Sequence, residues 1–241
     1  MEKTPNIISL RSTIFLPNGI GYSADNERKY HELLPNGQVK SVLPNTLRLE
    51  VGPGVVFSPG VNDSWQLVDT EQGYNIVFIQ NKIDLIYVKI NPAKDVEKDF
   101  IAFTIKAFKT IIDEEGPVVR MAYSPTYVLD SDEGFAYPDY WKKILLTNKV
   151  EGMDMQDINV QYLLKKDWEN DGNSVSVNLL HNWSDAIKTQ NKKEVQIQSK
   201  CITLNLDINT VPSGKSNFKA NDMERFFNEM PNWANELLNN Y

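Results

Sequence analysis

The chain has 241 residues, 41% of them hydrophobic, with 25 Lys+Arg against 32 Asp+Glu and a formal net charge of −7. That apolar fraction supports a sizeable core and argues against a disordered chain. The acidic excess is spread evenly, 12 basic against 15 acidic residues before Gly116 and 13 against 17 after it, which disfavours nucleic acid as a partner.

A single cysteine, Cys201, allows no disulfide within the chain and fits a reducing compartment. The N-terminus lacks the pattern of a signal peptide, and no apolar run approaches the ~18 residues of a membrane span. A cytoplasmic protein with no membrane association is expected.

In chain order, residues 7–16 read as a first strand ended by Pro17-Asn18-Gly19. The same turn chemistry returns at Leu34-Pro35-Asn36-Gly37 and Leu43-Pro44-Asn45. Residues 20–33 are polar and carry no clear period. Residues 46–58 alternate and then break at Gly52-Pro53-Gly54. Trp65–Val68, Tyr74–Gln80 and Lys82–Ile90 form an antiparallel meander with turns at Asp69–Gly73 and Gln80-Asn81.

A helix is predicted over 92–113, opened by Asn91-Pro92 and stopped by Gly116-Pro117, with Val96, Phe100, Phe103, Ala107, Phe108 and Ile111 on one face. Val118–Leu129 reads as a strand interrupted by Pro125, which points to an edge or a bulge. Residues 130–157 form an acidic loop region, with a short helix allowed over Tyr140–Leu146. Ile158–Trp168 and Val175–Trp183 flank the hairpin signal Glu169-Asn170-Asp171-Gly172-Asn173. Asp185–Glu194 reads as a charged connection.

The last third is the most strongly patterned. In 194–210, Ile202, Leu204, Leu206 and Ile208 alternate with Thr203, Asn205 and Asp207, the period of a half-buried strand. Asn221 followed three residues later by Glu224 has the form of a capping box. Met223, Phe226, Phe227, Met230, Ala234, Leu237, Leu238 and Tyr241 then recur at helical spacing through 222–241. Pro231 lies inside that pattern and predicts a kink or a break at 228–231. The fold class is therefore α+β, mainly antiparallel sheet with two principal amphipathic helices. A single domain 1–241 is expected, with two strand-then-helix halves, 1–116 and 117–241, as a further arrangement that no residue-level repeat supports.

Chemistry is sparse. Val211–Ser216 ends in Gly-Lys-Ser, but the phosphate-loop glycine expected five residues before Gly214 is Asn209, so an exposed linker is the reading. Asp167, Glu169, Asp171 and Gly172 match the start of a calcium loop, but its twelfth place is Asn178, so a polar hairpin turn is expected. Two histidines, His31 and His181, and one cysteine do not make a typical structural zinc site. His181 is read as a core-edge histidine, Cys201 as a small core residue and Arg120 as a structural salt-bridge partner, with anion binding beside Tyr123 as its alternative.

The best functional candidate is the segment 130–171, with ten Asp+Glu, five Lys+Arg and several aromatics. Asp130, Asp132, Glu133, Tyr137, Tyr140 and Trp141 are its proposed interaction surface, since aromatics in a polar loop are typical interface material. The reading is a soluble, non-catalytic protein-interaction protein with a protein partner and with no cofactor, metal or catalytic residue assigned. Its alternatives are a small-ligand module with a pocket between the sheet and helix 92–113, and a hydrolase whose residues meet only in space.

Trp65-Gln66-Leu67-Val68 with Gly73-Tyr74, the strand pair up to Ile90, helix 92–113 and the strand bearing Arg120 and Tyr123 together resemble a sporadically distributed prokaryotic family of uncharacterised proteins of about this length. Those proteins also close with a strand of alternating apolar residues and Asp, here Leu204–Ile208, followed by an amphipathic helix. The resemblance covers about residues 60–130 and 195–241; the N-terminal segment and Pro231 depart from it. It implies no catalytic residues, and a patchy distribution implies an accessory gene, for instance one of defence.

Overall fold

The computed structural model describes residues 6–41, 48–50, 56–58, 64–79, 81–88, 96–130, 159–170, 172–192, 195–213 and 217–239. One nine-stranded antiparallel sheet dominates it, in the order β2-β5-β6-β7-β1-β8-β11-β10-β9. Its strands are β1 (Asn6–Phe15), β2 (Gln38–Ser41), β5 (Trp65–Asp69), β6 (Tyr74–Ile79), β7 (Lys82–Tyr87), β8 (Arg120–Asp130), β9 (Asn159–Asn170), β10 (Asn173–Lys192) and β11 (Val195–Thr210). A separate hairpin pairs β3 (Arg48–Glu50) with β4 (Val56–Ser58), on either side of the Gly-Pro-Gly break.

Three helices occur among the described residues: α1 (Ala24–His31), α2 (Val96–Glu115) and α3 (Ala220–Asn239). All lie on one face of the sheet. Thr104 of α2 donates to Ser12 of β1 at 3.4 Å. Phe226 of α3 meets Trp168 of β9 edge-on with ring centroids 5.6 Å apart, and Tyr30 of α1 packs on Phe78 of β6 at 5.4 Å. Phe108 and Phe227 join α2 to α3, with centroids 5.5 Å apart.

The alternating strand behaves as its pattern requires: Ile202, Leu204, Leu206 and Ile208 are buried, while Asn205 is exposed and Thr203 and Asp207 are half-buried. Turn chemistry also holds. Gly73 at φ 82° closes the β5–β6 turn, where Asp69 Oδ1 accepts from the backbone amides of Glu71 and Gln72. Gly172 at φ 78° closes the β9–β10 hairpin, conformations that favour glycine.

The structure departs from the sequence reading in five places. Residues 20–33 contain α1, whose Ser23 Oγ accepts from Asn26 N at 3.0 Å as an N-cap. Pro125 sits in a central strand between β1 and β8's other neighbour β11, not at an edge; the irregularity is a register shift in β1 between Ile7 and Ser9. Asp185–Glu194 is no connection: β10 runs on to Lys192, paired with β11 down to Val195. The carboxylate that reaches back to the start of α3 is Asp222, whose Oδ2 accepts from Lys219 N at 2.8 Å, and not Glu224. Finally, of the kink or break expected at 228–231 the break is absent: α3 runs through Pro231 as one helix. Met230 and Ala234, on either side of the proline, are both fully buried, and that shared apolar face holds the helical path against the lost hydrogen bond. Trp233 and Leu237 pack against the core instead of facing solvent.

Helix 92–113 is described only from Val96, and it ends at Glu115 before Gly116, at φ 91°. Among the described residues no helix is long and apolar enough to cross a membrane.

Candidate functional site

Of the six residues of the acidic aromatic surface, Asp130 alone falls on a described element. It closes β8 and pairs with Cys201 of β11. Asp132, Glu133, Tyr137, Tyr140 and Trp141 lie outside the described residues, as does the predicted helix Tyr140–Leu146.

The other sequence candidates are dispersed. Arg120 makes no ion pair among the described residues; its guanidinium donates to Asn209 Oδ1 at 2.8 Å and lies 5.1 Å over the Phe15 ring. That corrects the salt-bridge expectation, because the neighbour across the sheet is an amide. Tyr123 is on the opposite face, where its hydroxyl donates to Glu97 Oε1 of α2 at 2.5 Å. Burial, and secondly the Glu97 charge, raise the Tyr123 phenol well above its ordinary range. Tyr127, two pleats along, is buried with no hydrogen-bond partner for its hydroxyl. Cys201 is a buried core residue. Asp167 accepts from Ser176 Oγ at 3.0 Å across the β9–β10 hairpin, as a polar turn would have it. Among the described residues no three His, Cys, Asp or Glu side chains converge as metal ligands.

His181 is fully buried on β10 and stacks on Tyr162 of β9, with ring centroids 4.7 Å apart. Burial lowers its pKa from 6.5 to about 4. A folded-state value below the unfolded one means that the unfolded chain takes up the proton first as the pH falls. The stability held above pH 6.5 is therefore lost between about pH 6.5 and 4. We expect His181→Phe, which keeps a ring on Tyr162, to remove a loss on the order of 2–3 kcal/mol in that window. Urea unfolding of both proteins at pH 7 and at pH 4.5 checks this; parallel pH profiles would contradict it.

The feature that sequence reading missed is the other side of the sheet. Strand register places Arg11, Thr13, Asp84, Arg120, Ser124, Thr126, Asn178, Asn182, Asn205, Asp207 and Asn209 on the face opposite the three helices. Their side chains are knitted together. Ser124 Oγ donates to Asp207 Oδ1 at 3.1 Å and accepts from Arg11 at 3.5 Å. Thr126 donates to Asn205 at 2.8 Å, and Thr13 to Asp84 at 2.6 Å, where Lys82 Nζ also reaches Asp84 at 2.7 Å. Polar positions alternating with apolar ones along β11 are the one sequence signal that pointed here.

Comparison with protein-family models and with curated proteins found no match for this chain.

Proposed function

We propose that the chain is a soluble, cytoplasmic, non-catalytic interaction protein whose partner is another protein, bound through the acidic aromatic surface Asp130, Asp132, Glu133, Tyr137, Tyr140 and Trp141. The observation that supports this reading is the place of Asp130. It closes a central strand, β8, beside β11, so the segment begins in the middle of the sheet and not at a frayed edge. Aromatic anchors next to a rigid scaffold are the usual material of an interface hot spot.

The family resemblance carried by Trp65–Val68, Gly73-Tyr74 and Leu204–Ile208 supports an accessory role, with defence as the setting. A two-repeat origin has support of its own kind. The strand orders β1-β7-β6-β5 and β8-β11-β10-β9 run in the same sense from the shared β1–β8 centre, and each half ends in a long helix. A second reading, a small-ligand module, rests on the unpartnered Tyr127 hydroxyl beneath the first turn of α2.

The test is affinity capture from the native host with the full chain and with Trp141→Ala. We expect a reproducible protein partner that is lost, or retained at least about tenfold less well, in the variant. Repeated absence of any partner, or capture untouched by the substitution, contradicts the reading.

A further inference from the structure

We infer that the outer edge of β9 is a self-association surface, pairing antiparallel with β9 of a second copy of this chain to make a symmetric dimer with one continuous sheet. The two edges of the nine-stranded sheet are unlike. β2, at one end, has four residues, Gln38–Ser41, whereas β9, at the other, has twelve, Asn159–Asn170. Among the described residues no strand pairs with the outer side of β9. The strand holds no proline and pairs with β10 residue for residue, without a bulge. Proteins blunt an edge with a short strand, a proline, a bulge or charged side chains. Of these β9 has only charge, and part of that is engaged elsewhere: Lys166 Nζ lies 4.1 Å over the Trp233 ring of α3 and 3.7 Å from Glu236. Mid-strand stand Leu163 and Leu164, 50% and 45% exposed, on opposite faces of the sheet.

Register selects a second copy as the occupant. The tight hairpin makes Asn170 and Asn173 a hydrogen-bonded pair. Alternation then turns the main-chain groups of Asn159, Gln161, Leu163, Lys165, Asp167 and Glu169 outward, away from β10. The bond from Val211 N to Ser176 O at 2.8 Å keeps the same phase on the far side of β10. With a two-fold axis at Leu163, these outward groups pair as Leu163 with Leu163, Gln161 with Lys165 and Asn159 with Asp167 of the second copy, about ten main-chain hydrogen bonds in all. Leu163 then meets its counterpart on one face, and Leu164 lies opposite Tyr162 on the other, so both exposed leucines gain an apolar neighbour. No like charges are opposed. An axis at Lys165 or Lys166 would set lysine on lysine, and an axis at Leu164 would leave Leu163 opposite Lys165. α3 meets β9 at Lys166, Trp168 and Asn170, to one side of the axis, so the two copies of that helix sit at opposite ends of the seam. The inference does not rest on residues 130–141.

The test is sedimentation velocity on the full chain from low to high micromolar concentration, with disulfide trapping to read the register. We expect a reversible monomer–dimer equilibrium that stops at the dimer. Leu163→Lys opposes two lysines at the axis and should weaken the dimer at least about tenfold. Its urea midpoint, read where the chain is monomeric, should stay at the wild-type value, because Leu163 is half exposed. Leu163→Thr keeps a strand former at the site and should weaken the dimer less, which serves if the lysine variant folds poorly. Trp141→Ala should leave the dimer intact. In a Cys201→Ser background, Leu163→Cys should give a disulfide-linked dimer under mild oxidation, since opposed residues of such a pair lie about 5.5 Å apart at Cα. Asn159→Cys, which meets Asp167 of the second copy and not itself, should not. A monomer throughout, a mass that climbs past the dimer without a plateau, a dimer that Leu163→Lys leaves intact, or trapping through Asn159→Cys as readily as through Leu163→Cys would overturn the inference.

Discussion

Phe227→Ala is expected to cost about 3–5 kcal/mol of stability, the range for a large aromatic removed from a core. Phe227 is fully buried on α3. Its ring lies 5.5 Å from Phe108 of α2 and 5.2 Å from Phe226 in an edge-on arrangement at 89°. Phe226 in turn meets Trp168, whose indole nitrogen donates to Glu229 Oε2 at 2.9 Å. The helix-to-helix contact and the attachment of α3 to the far edge of the sheet thus share one aromatic cluster. Truncation at Phe227 opens a cavity between two helices that cannot collapse without moving one of them. Guanidinium unfolding monitored by fluorescence checks the size of the loss. A change under about 1 kcal/mol would mean that the α2–α3 seam is not where the layer is held.

Pro231→Ala carries the opposite sign. A proline inside a helix removes the amide that would bond the carbonyl four residues back, here Phe227, and costs about 3 kcal/mol. Since α3 continues through this position, alanine should restore the bond. Part of the gain is offset, because proline also restricts the unfolded chain by about 0.4–1 kcal/mol and the half-buried ring gives up its contacts. A net stabilisation of about 1–2 kcal/mol is expected, read as a rise in the denaturation midpoint at unchanged slope. Destabilisation would show that the proline shapes α3 to the twist of the sheet, and that the bend outweighs the missing bond.

The parts of the fold legible in the sequence are those in which local pattern and tertiary burial agree. β11 and α3 announce themselves because alternation at one period gives way to helical spacing at another. The β9–β10 turn was readable from Asp171-Gly172 alone. α1 was missed because only one of its eight residues, Tyr30, is buried, so no apolar stripe marks it; the Ser23 cap and the acid-to-base gradient along it were the available signals. The second half of β10 was missed because it has almost no apolar alternation. It is a strand because β11 pairs with it residue by residue from Asp185 to Lys192, which is a property of the partner. The polar network was out of reach for a different reason: Arg11 and Ser124 are 113 positions apart, and Ser124 and Asp207 are 83. Only the antiparallel pairing of β1, β8 and β11 brings them together.

The central claim, that a protein partner binds at residues 130–141, is tested most directly by hydrogen exchange read by mass spectrometry, on the full chain alone and with the partner recovered by capture. The account predicts that the partner slows exchange in peptides covering 130–141, and that Trp141→Ala abolishes the slowing. Unchanged exchange across 130–141 in the presence of a bound partner would contradict it.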